Sequence, residues 1–157
     1  GWWGNAACGI SYEGIAWTTG AAVMAGGQMP DKRSLLLALL YSVGTHGIMT
    51  LNDFKAVQGD RQMGVRSLPV QLGVQSAAGV ACWFMGLPQV VVIILLFAWG
   101  CPSQALAVTV LLGIQLLMMD YFLTRVVQRA LWYSGFGVPF FVAGMMVSAF
   151  ALRGLIS

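Results

Sequence analysis

From Ser76 to Trp99 the chain carries no charged side chain, and Val90-Val91-Val92-Ile93-Ile94-Leu95-Leu96-Phe97 within it is wholly aliphatic or aromatic. A run of that length can cross the hydrocarbon core of a bilayer. In lipid its backbone can satisfy every N–H and C=O only as an α-helix or as part of a closed β-barrel. Barrel strands alternate apolar and polar residues with a period of two, and no such alternation is present, so the run predicts a helix. Composition extends this to the whole chain: 59% of residues are hydrophobic and 8% charged, against about 25% charged in soluble domains. The expected fold class is therefore all-α, a polytopic transmembrane bundle forming a single domain of about five spans.

The spans are expected at about 4–27, 34–51, 76–99, 104–123 and 134–152. The first is rich in Gly, Ala and Thr and holds Glu13 near its middle, so it suits the interior of a bundle, where small residues let helices approach. Gln28-Met29-Pro30-Asp31-Lys32-Arg33 reads as the turn that ends it, with Ser34 able to cap the next helix. Pro88 and Gly86 are candidate kink points in the third span. Trp2, Trp3, Trp99, Trp132 and Tyr133 fall at span ends, as an aromatic belt would place them. One side of the membrane collects Lys55, Arg61, Arg66, Arg125 and Arg129, the other Lys32, Arg33 and Arg153. The first side is expected to be cytoplasmic by the positive-inside rule. The first residue is Gly1, no signal peptide is evident, and the chain reads as a piece of something longer. The net charge of +3 is dispersed, which gives no footprint for nucleic acid. Cys8, Cys82 and Cys101 are far apart and read as reduced packing residues.

Between the second and third spans lies a polar island, residues 52–69, expected to be a cytoplasmic loop. Asp53 and Asp60 are seven residues apart. On a helix they would share a face about 10 Å apart, too far for one ion held by these two alone. Carboxylates suit a hard ion such as Mg²⁺, which keeps water and takes substrate phosphates. Lys55, Arg61 and Arg66 can face phosphate oxygens, the arginines with a two-pronged fork. Asn52 can orient Asp53 or touch a metal-bound water. His46, Thr50 and Asp53 follow i, i+4, i+7 spacing and share a helix face. Read alone, the Lys and Arg residues also fit a solvated loop that merely obeys the positive-inside rule, which leaves the two aspartates unexplained. Glu13 and His46 would equally serve a transporter's ion path, or hold a structural bundle together.

Asn52-Asp53-Phe54-Lys55-Ala56-Val57, then Gly59-Asp60-Arg61-Gln62, then Gly64, then Arg66-Ser67-Leu68-Pro69-Val70 resembles the second aspartate-rich motif of chlorophyll and bacteriochlorophyll synthases, in the UbiA-type intramembrane prenyltransferases. Ser11-Tyr12-Glu13-Gly14, His46-Gly47-Ile48-Met49-Thr50-Leu51, Trp132-Tyr133-Ser134-Gly135 and the stretch from Gly144 to Ala151 extend the likeness over nearly the whole chain, and the bacteriochlorophyll branch fits better. The resemblance implies a nine-helix bundle of which this chain is the last five helices, in a bacterial inner or photosynthetic membrane. It implies Mg²⁺-dependent transfer of a geranylgeranyl or phytyl group from its diphosphate to the propionate of a bacteriochlorophyllide. Asp53 and Asp60 would then be metal and catalytic residues with Arg61. Asn52, Lys55, Arg66, His46 and Glu13 would be substrate contacts, Glu13 or His46 also as a ligand of the pigment's central metal. A quinone- or heme-pathway prenyltransferase is the nearest alternative. The chain departs from the family in two ways: the first aspartate-rich motif is not in it, and Gln58 stands where an acidic residue is usual.

Overall fold

In the computed structural model, which describes residues 1–156, every regular element is helical. Three pieces come first: α1 (Trp2–Gly9), a π-helical stretch (Ile10–Ile15) and α2 (Ala16–Met24). The long helix α3 (Lys32–Gln62) and the short α4 (Leu68–Leu72) follow. Then come α5 (Val74–Ala98), α6 (Pro102–Leu123), α7 (Val126–Phe136) and α8 (Val138–Ile156). Among the described residues four helical units are long and apolar enough to cross a membrane: Lys32–Gln62, Val74–Ala98, Pro102–Leu123 and Val126–Leu155. The chain is an integral membrane helical bundle. The stretch expected as the first span is not among the four. Its Gly and Thr content and Glu13 dilute its apolarity, and a six-residue π-helical stretch divides it.

The polar island is the main departure. Residues 52–62 are not a loop but the last turns of α3. Lys55, Ala56, Gln58, Arg61 and Gln62 are good helix formers, and the hydrogen-bond ladder continues past the lipid boundary. At 31 residues, α3 is about 46 Å long, against roughly 30 Å of hydrocarbon. Its aspartate-bearing end therefore stands clear of the core. It stops where Gly64 takes φ +69°, with the Val65 N–H on the Asp60 carbonyl at 2.8 Å and the Gly64 N–H on Arg61. That is the Schellman arrangement, and the left-handed residue in it is the natural place for glycine. At the other end Asp31, not Ser34, is the cap, accepting from the Arg33 N–H at 2.8 Å. Ser34 lies buried inside the first turn and accepts from the Trp17 indole N–H at 3.0 Å.

Helix α3 is the axis of the bundle. It meets α5 where Gly47 lies against the Ala81 carbonyl and the Met85 side chain, so close that a Cβ would collide with both. Gly9 lets α1 press on the Ser42 carbonyl in the same way. The α5 helix runs unbroken through Gly86 and Pro88, although proline leaves the Phe84 carbonyl without its usual intrahelical donor. Two buried polar links cross the interior. The Gln89 amide donates to Gln115 Oε1 at 2.8 Å, and the Gln115 amide to the Tyr133 hydroxyl at 3.1 Å. Ser148 donates to the Gly144 carbonyl, so its oxygen accepts from the Tyr41 hydroxyl at 2.8 Å. At the α6–α7 turn, Arg129 caps the Tyr121 carbonyl at 2.6 Å and lies 3.6 Å over the Tyr121 ring.

Candidate functional site

The polar end of α3 presents Asn52, Asp53, Lys55, Asp60 and Arg61 on three consecutive turns, with Arg66 in the segment beyond. Asp53 and Asp60 are half-buried, while Asn52, Lys55, Arg61 and Arg66 are exposed. Lys55 donates to Asn52 Oδ1 at 3.3 Å, a local contact that leaves both side chains at the solvent edge. The expected common face is observed in part. The Thr50 hydroxyl donates to the His46 carbonyl at 3.0 Å, and Thr50 and Asp53 both meet the same third residue.

That third residue is Asn5 of α1, which reading the sequence did not single out. It is buried, and its side-chain amide donates to Thr50 Oγ1 at 3.1 Å and to Asp53 Oδ2 at 3.3 Å. No periodicity links residues 48 apart; the one available signal was a polar amide at the start of an otherwise apolar, glycine-rich stretch.

His46 is packed among aromatic side chains. It is 5% exposed, stacks on Phe84 at 4.4 Å between centroids, and lies 5.6 Å from the Trp2 ring. Its Nε2 meets the Trp2 carbonyl at 3.2 Å. Since a carbonyl only accepts, Nε2 carries the proton, and Nδ1 keeps a buried lone pair with no partner. The close approach of α1 covers the ring. His46 joins α1 to α3. Glu13 lies half-buried in the π-helical stretch, one helix away from the aspartates.

A cleft of about 720 Å³ lies away from the aspartates. It lies at the opposite end of α3, between Trp17, Met24, Asp31, Leu152 and Arg153. Among the described residues no three His, Cys, Asp or Glu side chains converge to hold a metal. Asp53 and Asp60 alone do not enclose an ion. Two hard oxygen donors at an aqueous rim do suit one that keeps water and takes further oxygens from a ligand. They fit as contributors to a shared site.

Residues 1–144 match the UbiA prenyltransferase family, and the chain belongs to that family. It is 52% identical over 155 residues to the bacteriochlorophyll synthase 33 kDa chain of Cereibacter sphaeroides, covering 99% of this chain and 51% of that protein. It is 43% identical to the bacteriochlorophyll synthase 34 kDa chain of Chloroflexus aurantiacus, over 97% of this chain and 48% of the relative. It is 39% identical to the chloroplastic chlorophyll synthase of Arabidopsis thaliana, over 96% and 38%. The chain thus spans about half the length of the bacterial relatives it matches. No solved structure matches.

Proposed function

We propose that the complete protein is a bacteriochlorophyll synthase, which esterifies the propionate of a bacteriochlorophyllide with a geranylgeranyl or phytyl group from its diphosphate. The observation that carries this is the end of α3, where two carboxylates and two cationic side chains lie on consecutive turns at the edge of an apolar bundle, with Arg66 just beyond. The likeness to bacteriochlorophyll synthases over nearly the whole chain supports the choice of acceptor.

Asp53 and Asp60 would hold Mg²⁺ together with the diphosphate and with carboxylates from a preceding half that carries the first aspartate-rich motif. Held there, the ion would supply positive charge to offset that of the leaving diphosphate. Arg61, with Lys55 and Arg66, holds the same oxygens through charge-assisted hydrogen bonds, which strengthen as the C–O bond breaks. The apolar helices keep water from the allylic cation. The acceptor carboxylate is already ionised near pH 7, so no side chain needs to remove a proton. That matches a chain whose one histidine is enclosed. Asn52 orients Asp53 or a metal-bound water, and Glu13 contacts the acceptor pigment. His46, covered by α1, serves the site by holding that helix. The aspartate end faces the cytoplasm of a bacterial inner or photosynthetic membrane.

The test is to express the complete polypeptide in membranes and supply bacteriochlorophyllide, prenyl diphosphate and Mg²⁺. Esterified pigment is expected. Asp53→Ala and Asp60→Ala should each lower the rate by about 100- to 1,000-fold, as loss of one group stabilising developing charge does. Full activity in both variants would sink the assignment.

A further inference from the structure

The two aspartates are not held alike. Asp60 sits on the free end of α3 and is engaged by no protein side chain among the described residues, whereas Asp53 is tied to a different helix. We propose that Asn5 is a positioning residue for Asp53, fixing which carboxylate oxygen is left for ligand and anchoring α1 to the site. This rests on the reading of Asp53 as a metal and diphosphate ligand.

The direction of each bond follows from its neighbours. The single Thr50 proton goes to the His46 carbonyl, so Thr50 Oγ1 can only accept. The Asp53 carboxylate oxygen is likewise the acceptor in its bond with Asn5. Both neighbours of Asn5 therefore require a donor, which sets its amide with Nδ2 toward them and commits both amide hydrogens. The chain of bonds runs from Asn5 to Asp53 on one side, and through Thr50 to the α3 backbone at His46 on the other. One turn away, the His46 Nε2–H to Trp2 carbonyl bond fixes the same short helix a second time. With Oδ2 engaged from the α1 side and Asn5 itself 8% exposed, Asp53 cannot swing freely. Its Oδ1, to which no protein group donates among the described residues, is the oxygen left for a ligand. Holding a side chain in one rotamer before the ligand arrives removes an ordering cost from binding.

The test uses the complete polypeptide in lipid nanodiscs with a non-reacting prenyl thiodiphosphate. Binding of Mn²⁺ is followed by loss of the free-ion electron paramagnetic resonance signal. Asn5→Ala should weaken Mn²⁺ binding about five- to ten-fold. In turnover it should raise the Mg²⁺ concentration for half-maximal rate by a similar factor, while the KM for the pigment stays unchanged. Thr50→Val removes one arm only and should weaken Mn²⁺ less. If Asn5→Ala does not fold, Asn5→Ser, with one donor hydrogen in place of two, should still weaken binding several-fold. Wild-type Mn²⁺ affinity in the folded Asn5 variant, even with a lowered melting temperature, would overturn the proposal and make the amide purely structural. Asp53→Ala separates the two ideas: if it too binds Mn²⁺ normally, the underlying reading of Asp53 fails as well.

Discussion

Polar groups occur in two places in this bundle, and they are used in opposite ways. In the interior, Gln89, Gln115 and Tyr133 bind one another across α5, α6 and α7, and Tyr41 binds Ser148 across α3 and α8. All five side chains are fully buried, and they leave one unpaired atom, Gln89 Oε1, against Gly144. At the end of α3, Asp60, Arg61 and Arg66 make no side-chain hydrogen bond to another helix among the described residues, and Asp53 is held by one residue. The interior groups are committed to each other and act as ties between helices. Those at the helix end remain available to a ligand. A buried polar cluster in a membrane protein is not by itself a binding site; open valence is the more useful sign.

The sharpest way to break this contrast is to disturb the interior alone. Gly47→Leu drives a side chain into the Ala81 carbonyl and Met85, and backbone cannot give way as a flexible chain end can. Stability should fall by about 3 kcal/mol, the upper range for overpacking, measured as a lowered melting temperature in detergent. A variant melting like wild type would show that α3 and α5 are not locked at this crossing.

The interior ties give a smaller effect. Gln115→Leu leaves the Tyr133 hydroxyl without its donor and the Gln89 amide with only its bond to the Met85 carbonyl. It should cost about 1–2 kcal/mol, in line with interhelical hydrogen bonds in membranes. Adding Gln89→Leu and Tyr133→Phe should recover part of that loss, because removing all partners leaves no buried group unsatisfied. In each variant Mn²⁺ binding at the aspartate-bearing end of α3 should stay as in wild type. Weakened Mn²⁺ binding would mean the two polar regions are coupled, and the contrast would no longer hold.

The sequence made some of this plain and hid the rest for physical reasons. Uncharged runs such as Val90–Phe97 announce a spanning helix, because lipid leaves the backbone no other choice. Asp53 and Asp60 stood out because ionised groups are rare in such a chain. The continuation of α3 to Gln62 was hidden because apolarity, the signal used for the spans, stops at the lipid boundary while helix propensity does not. The enclosure of His46 and the hold on Asp53 depend on α1, and contacts between residues 44 and 48 apart leave no local pattern. The π-helical stretch around Glu13 has no compositional mark either; it lengthens the turn between Gly9 and Gly14, both of which rest on Ser42.

The smallest expected effect concerns position 58, where Gln58 replaces the acidic residue usual in the resembled motif. If residues 52–62 were a loop, a Glu there could fold onto the ion held by its neighbours. On the helix observed, Gln58 is exposed, five residues after Asp53 and two before Asp60. At 100° per residue that places it roughly 140–160° around the axis from both carboxylates. Gln58→Glu therefore adds a charge behind the aspartates rather than a ligand beside them. At about 10 Å through water its attraction for a cation is on the order of 0.4 kcal/mol per unit charge before salt screening. The Mg²⁺ concentration for half-maximal turnover should fall by no more than about two- to four-fold for a divalent ion, with the effect fading as salt is raised. A drop of ten-fold or more that survives high salt would mean that the end of α3 unwinds when the site assembles. Position 58 would then reach the ion directly, and the helix end would be a binding loop in its working state.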